Sequence, residues 1–448
     1  MRRSVLALAL LFLGACTIGP NYQKPALPVP EELYGTPATA ESFADAKWFD
    51  VFGDPVLRSL IEEGLRNGYD VRIAAARVEE ARARYGIAGA ARYPEIDYSV
   101  RTGFGRQNEE TGAALAADVG ASWEIDLWGR IRRANETARA QYLASEEGQR
   151  SVRLSLASEI AAAYFDLREL DAELDIARRT TGAFQNTLDL FDTRLRGGTA
   201  SGLETSRAEA LLANAAALIP LIERDIVATE NQLDVLIGRM PGPIARGAAL
   251  SEQPIPASVP AGLPASLLLR RPDVRAAEQA LIAANANVGI AEAAFYPTLS
   301  LTGLLGVQSS ELSELFGAGR VWNVQAGLLG PIFNAGRLRN QRAVAVAQFN
   351  EALAEYEQSV TRALADASTS LVSLEKLGAA EEQRQRALRA NEEAVRLVNM
   401  RYESGFSAYF EVLDAMQQLF TAQNNLARTR RDRLVALVQL YRALGGGY

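Results

Sequence analysis

Two periodicities take turns along the chain. Residues 55–92 are rich in Ala, Arg, Glu and Leu, lack proline after Pro55, and predict a helix. The period then drops to two. Ile96, Tyr98, Val100, Thr102 and Phe104 alternate with Asp97, Ser99, Arg101 and Gly103. Val119, Ala121, Trp123, Ile125 and Leu127 alternate with Asp118, Gly120, Ser122, Glu124 and Asp126, so a β-hairpin is predicted over about 95–127. Residues 131–196 contain no proline. Their apolar positions Leu156, Ile160, Ala163, Leu167, Leu170, Leu174 and Ala177 step alternately by four and three, the signature of a coiled-coil seam. At ~1.5 Å per residue such a helix runs roughly 100 Å. A shorter helix, 203–237, follows and is interrupted by Pro220.

The same order then returns. After a helix, Leu299 and Leu301 alternate with Ser300 and Thr302, and Trp322, Val324, Ala326 and Leu328 with Asn323, Gln325 and Gly327, giving strands over about 297–332. A long helix 338–402 carries the seam Val346, Phe349, Leu353, Tyr356 and Val360, and a helix 409–444 closes the chain. Individual residues recur as well. Asp70-Val71-Arg72 returns as Asp273-Val274-Arg275, and Tyr93-Pro94 as Tyr296-Pro297, both at an offset of 203. Gly129-Arg130 returns as Gly336-Arg337, Gly198 as Gly405 and Gly238 as Gly445, all at 207. The chain therefore reads as an internal two-fold duplication, repeat 1 over 55–240 and repeat 2 over 265–448. Prolines gather outside the repeats, in an extended N-terminal segment (16–54) and a linker (241–264).

The alternating segments admit two readings. They are soluble strands with one buried face, or strands in lipid with water on the other side. Their length, about ten residues, is that of a tilted membrane-spanning strand. In lipid every backbone group must be paired, so strands have to close into a barrel, and known barrels start at about eight strands. One chain with four strands cannot close alone; two chains supply eight and three supply twelve.

The first residues read as an address. Arg2 and Arg3 precede an apolar run, Val5–Leu13, that is too short to span a bilayer and suits a signal-peptide core. Leu13-Gly14-Ala15-Cys16 resembles a bacterial lipobox, which makes 1–15 the signal peptide and Cys16 the lipidation residue; a plain secretory signal with a stray cysteine is the alternative. Thr17, not Asp, follows, which is compatible with the outer membrane.

Composition removes other classes. Apolar residues make up 48% and charged residues 23%, as in a folded protein. Histidine is absent, which removes the Ser-His and Cys-His pairs of nucleophilic catalysis. The single cysteine excludes an internal disulfide and a cysteine metal cluster. No metal or cofactor is expected. Gly103-Phe104-Gly105 is followed by Asn108, so the dinucleotide-binding glycine pattern is missed. A net charge of −7 argues against nucleic acid.

The whole mature chain resembles the TolC-like outer-membrane channels, in particular the lipidated OprM/NodT branch that forms the exit duct of tripartite efflux pumps. The residues carrying the resemblance are Leu13-Gly14-Ala15-Cys16 with Gly19-Pro20-Asn21-Tyr22, Trp48-Phe49, Leu269-Arg270-Arg271-Pro272-Asp273-Val274, Ala294-Phe295-Tyr296-Pro297, Arg401-Tyr402-Glu403-Ser404-Gly405 and Val412-Leu413-Asp414-Ala415. The resemblance implies an α+β membrane protein, with a long antiparallel coiled-coil helical barrel and four transmembrane β-strands per chain. Three chains would close a 12-stranded β-barrel, with a belt at the equator built from the chain ends and the proline-rich linker. It implies a homotrimer in the outer membrane of a Gram-negative bacterium, lipid-anchored through Cys16. A periplasmic adaptor and an inner-membrane RND-type pump would be its partners. The duct would be passive, no enzyme, and would conduct small molecules such as drugs or toxic compounds. A type I secretion duct and a structural periplasmic coiled-coil lipoprotein are the alternatives.

The expected chemistry is that of a gate. The turns Arg194–Gly202 and Arg401–Ala408 would form the periplasmic tip, where Gly198 and Gly405 suit a tight reversal. Glu411 and Asp414 are three apart and share a helix face, so threefold symmetry would make each a ring of carboxylates. By spacing alone they read as ordinary solvated helix charges. The resemblance implies that they constrict the entrance, that Tyr402 helps latch it to the neighbouring coil, and that Phe410 is a bulky apolar gate residue. Glu204, the repeat counterpart of Glu411, is then the candidate partner of Tyr402. Ser407 stands where TolC carries a latch arginine, so an arginine-centred latch is not expected.

Overall fold

The computed structural model describes residues 17–28, 52–107, 110–255, 269–310, 317 and 319–446. The signal segment 1–15, Cys16, Trp48-Phe49 and residues 256–264 of the linker lie outside them.

The helix expected over 55–92 is two helices, α1 (Pro55–Asn67) and α2 (Tyr69–Ala90). The break falls at Gly68, whose ψ of 135° is not helical. A Cβ at Gly68 would lie 2.5 Å from the Gly64 carbonyl oxygen and 2.9 Å from that of Leu236, so only glycine lets the backbones pass so closely. The hairpin follows as β1 (Glu95–Gln107) and β2 (Glu110–Ile125), then α3 (Arg130–Arg196) and α4 (Gly202–Ile237). The second half supplies α5 (Pro272–Ala293), β3 (Thr298–Ser309), β4 (Arg320–Leu329), α6 (Arg337–Glu403) and α7 (Tyr409–Ala443). Pro220 does not interrupt α4, which runs through it. The proline is exposed, so water can satisfy the carbonyl that its missing N–H leaves free.

The residues fall into two compact units, each drawing on both halves of the sequence. The first comprises residues up to Leu27, Ala76–Gly148 and Arg275–Ser359. It holds one antiparallel sheet with its strands in chain order, β1-β2-β3-β4. The registers Tyr98↔Val119, Val119↔Leu305 and Leu305↔Trp322 line up one side chain per strand on a single face. These four are 84%, 51%, 69% and 76% exposed, so nothing in the unit covers this apolar face. The opposite face carries Asp97, Ser99, Arg101, Asp118, Asn323 and Gln325, and Ser99 donates to Asp118 at 2.8 Å.

Residues 17–27 form an irregular strap in the same unit. Thr17 packs against Gly129, which has φ +82° and would bring a Cβ within 2.9 Å of the threonine methyl. Arg133 donates to the carbonyls of Ile18 and Gly19 and to Asn21, and Asn285 donates to the carbonyl of Pro20. Lys24 and Tyr22 both reach Glu278.

The second unit comprises Pro28–Ala75, Gln149–Val274 and Val360–Tyr448. Its core gathers Leu57, Ile61, Leu156, Ile160, Tyr164, Phe165, Leu167, Leu233, Ile237, Leu434 and Leu437. On α3 the buried stripe is wider than the expected seam, since Tyr164 and Phe165 join it while Leu170 and Leu174 are half-buried. Asp54 sits at the centre of a polar knot. It caps α1 through the N–H groups of Val56 and Leu57 and accepts from Tyr164, from the Ala248 N–H and from Gln253. Burial pushes its carboxyl up, but the hydrogen bonds from Gln253, Tyr164, Val56 and Leu57 outweigh that and hold it below the ordinary value. Arg271 of the Leu-Arg-Arg-Pro-Asp motif is buried, pairs with Asp273 and Asp366, and donates to the carbonyl of Ala443 at the end of α7. That burial explains why a bidentate arginine stands there.

Candidate functional site

The residues expected at the tip come together where α3 turns into α4 and α6 into α7, all within the second unit. Both turns close by the same hydrogen bonds. Gly198 N–H donates to Leu195 and Thr199 N–H to Arg194; Gly405 N–H donates to Tyr402 and Phe406 N–H to Arg401. This is the Schellman pattern, which needs a left-handed residue, and φ is +73° at Gly198 and +78° at Gly405.

A small core ties the two turns. Phe191, Ala208, Tyr409, Val412 and Leu413 are buried in it, with Tyr402 and Met416 packed alongside. Tyr409 meets Phe191 edge-on at 4.3 Å and Tyr402 at 4.8 Å, and its hydroxyl donates to Thr187 at 2.9 Å. Burial raises the Tyr409 phenol above its ordinary value, so it stays a neutral donor. Tyr402 accepts a hydrogen bond from Arg194, whose guanidinium also lies 5.1 Å from the centroid of the ring. Phe410 is 59% exposed, with Arg207 at 5.3 Å from its ring. Glu411 and Asp414 are exposed on the first turns of α7.

A family model described as outer membrane efflux protein matches residues 60–239 and 263–446. The chain belongs to the outer membrane efflux protein family. The solvent efflux pump outer membrane protein SrpC of Pseudomonas putida is 36% identical over 470 residues, covering 100% of this chain and 98% of its own. The cation efflux system protein CusC of Escherichia coli K12 is 33% identical over 448 residues, covering 98% and 97%. Among solved structures, the open state of the Neisseria gonorrhoeae MtrE outer membrane channel superposes with a TM-score of 0.88 at 32% identity, over 96% of this chain and 98% of that one.

As a member of this family the chain is an outer-membrane channel of a tripartite efflux pump, working with an adaptor protein and an inner-membrane pump. The efflux reading thus prevails over the secretion duct and the structural lipoprotein. Among the described residues no helix is long and apolar enough to cross a membrane. No group of three or more His, Cys, Asp or Glu among them is placed to hold a metal ion.

Within the chain the efflux protein's tip differs from the expected pairing. The Glu204 carboxylate accepts from the N–H and hydroxyl of Ser201, closing the start of α4, while Tyr402 is partnered by Arg194. The hydroxyl of Ser407 is buried and has no hydrogen-bond partner. An arginine does meet the tyrosine, then, but from the other hairpin. Sequence reasoning placed Arg194 at the start of the first turn without a role and passed over Arg207. The duplication carried the signal: at the offset of 207 Arg194 matches Arg401, and Arg207 stands opposite Asp414 as a reversed charge.

Proposed function

We propose that three copies of the chain close a 12-stranded barrel and a helical tube, a passive duct that lets small molecules such as drugs or toxic compounds out of the cell. One observation carries this reading. The sheet exposes a continuous apolar face through Tyr98, Val119, Leu305 and Trp322 and leaves β1 and β4 as edges paired on one side only. In water such a face and such edges invite aggregation; in lipid, closure with other copies satisfies both. Matching caps at Gly198 and Gly405, and at Gly238 and Gly445, support the internal duplication. Thr17, the residue after the expected anchor Cys16, packs against Gly129, one residue before α3 begins.

The gate of the duct is the tip. Threefold symmetry turns Glu411 and Asp414 into rings of carboxylates, with Phe410 as the neighbouring apolar constriction. Such rings favour cations and repel one another, so closure depends on other contacts. The adaptor docks at the tips and the pump supplies the energy, while the duct makes and breaks no bonds. The names of the relatives span solvents and cations, which suits a wide, unselective lumen.

Single-channel recording in planar bilayers tests the reading. Wild type is expected to give small or flickering conductance, and the Glu411→Ala, Asp414→Ala double variant a larger one. No conductance from either, with correctly assembled protein, would overturn the duct; an unchanged conductance would overturn the gate.

A further inference from the structure

The two β-hairpins of the sheet share one register. At the repeat offsets of 203 and 207, the pair Glu95↔Ser122 maps onto Thr298↔Leu329 and Tyr98↔Val119 onto Leu301↔Ala326, and all of these are partners in the sheet. Strand β2 then pairs with β3, Ala117 opposite Val307 and Ala121 opposite Gly303. The counterpart of that seam would join β4 to β1, which lie at opposite edges of the sheet with two strands between them. At ~4.8 Å per strand they are about 14 Å apart, so the seam cannot form within one chain.

The same offsets specify the seam between copies. Ala121 becomes Leu328 and Gly303 becomes Val100; Ala117 becomes Val324 and Val307 becomes Phe104. Two observations that played no part in the mapping agree with it. All four residues are exposed. All four also lie on the apolar face, Val100 and Phe104 in step with Tyr98, Val324 and Leu328 in step with Trp322. A slip of one residue would set apolar against polar faces. The mapped pairs are larger than their counterparts between β2 and β3. More apolar area thus falls where no covalent chain holds the two strands together.

The turns after the hairpins extend the pattern. Beyond β2, Trp128 stacks on Tyr296 at 4.9 Å and donates to the Pro297 carbonyl at 2.7 Å, which holds the entry to α3 against the start of the next hairpin. Tyr93-Pro94 is the counterpart of Tyr296-Pro297, and Tyr93 is exposed. Beyond β4, Ala335 stands at the place of Trp128, and the apolar side chains just ahead of it, Ile332 and Phe333, are exposed as well.

We propose that β4 of one copy pairs with β1 of the next in this register, Leu328 opposite Val100 and Val324 opposite Phe104, and that Ile332 and Phe333 close over Tyr93 and Pro94 of that next copy. The proposal rests on the reading of the chain as a barrel-forming duct and adds which residues meet at the joint. Each hairpin then meets the next in one way, whether the two belong to one chain or to two.

Oxidative cross-linking of the full-length protein in isolated outer membranes tests the joint. Directly opposed residues of an antiparallel pair have Cα atoms roughly 4.5–5.5 Å apart, within reach of a disulfide; diagonal ones, at roughly 7–8 Å, are outside it. Leu328→Cys with Val100→Cys, and Val324→Cys with Phe104→Cys, should give covalent dimers and trimers about fivefold more abundantly than Leu328→Cys with Thr102→Cys or with Tyr98→Cys. Cys16 is common to every variant, and wild type is the control. A diagonal pair that cross-links as well as the opposed pairs would overturn the register. No cross-link from any pair, in protein that still runs as a heat-resistant oligomer, would overturn the joint and leave the duct; wild type that forms no oligomer would overturn both. Phe333→Ser and Tyr93→Ser should each lower the yield of heat-resistant oligomer about threefold, and the double variant little further. Unchanged yields would give the turn to lipid and overturn its docking on the next copy.

Discussion

Leu304 and Leu305 are adjacent, chemically identical, and on opposite faces of β3. Leu305 pairs with Val119 and Trp322 on the apolar face and is 69% exposed. Leu304 pairs with Gly120 and Asn323 on the polar face and is half-buried. Arginine at each position separates the two readings of the alternating segments. If the apolar face meets water, Leu305→Arg is a surface change worth less than ~0.5 kcal/mol, and Leu304→Arg is the more damaging. If it meets lipid, the order reverses. Leu305 lies well inside the strand, where a lipid-facing arginine costs about 2–4 kcal/mol per chain. Leu304→Arg then points into water and costs little. The assay is urea titration of protein folded into lipid vesicles, with the yield of heat-resistant oligomer from membranes as a second readout. A Leu305→Arg chain as stable as wild type, or more stable than Leu304→Arg, would refute the lipid-facing assignment.

Two further consequences follow from the polar contacts. Asp54→Asn turns an amide N–H₂ toward the donors now shared by one oxygen, from Tyr164 at 2.9 Å, Ala248 at 3.2 Å and Gln253 at 2.6 Å, and should cost about 2–4 kcal/mol in thermal denaturation. Asp54 and Asp273 both titrate below their ordinary values in the fold, the latter because the Arg271 contact outweighs the upward push of burial. Their stabilisation is thus complete above about pH 4 and is lost as pH falls through the folded values; stability measured against pH should drop on that acid side, less steeply in Asp54→Asn. Gly129→Val puts a side chain into Thr17 at a positive φ and should loosen the strap, so that chymotrypsin cuts after Tyr22 roughly tenfold faster; an unchanged rate would show that the strap does not depend on this contact.

Much of the fold was legible because the pattern and the packing agree. The period-two stretches became the four strands in the expected order, and the proline-free runs became α3 and α6, each continuous. What escaped was set by contacts between distant segments. Gly68 breaks the first helix because the Leu236 carbonyl lies against it, which no local propensity encodes. Pro220 reads as a stop, yet α4 runs through it, because the proline is exposed and water can satisfy the carbonyl it leaves free. At the tip, the glycine turns and the placing of Glu411 and Asp414 three apart on one helix followed from spacing. The partner of Tyr402 did not, because the choice between Glu204 and Arg194 depends on which side chain the cap has already engaged.

The order of the strands has a consequence for biogenesis. β2 and β3 are neighbours in the sheet, yet roughly 170 residues of helix and linker separate Ile125 from Thr298. The first hairpin can form as soon as it is made; its partner hairpin arrives only after α3, α4 and α5 have been synthesised and exported. During that interval the apolar face of β1 and β2 and an open strand edge are exposed to water. The chain therefore carries its own delay. Helical packing, which is local and quick, precedes sheet completion, and a periplasmic holdase becomes a kinetic requirement for the nascent protein.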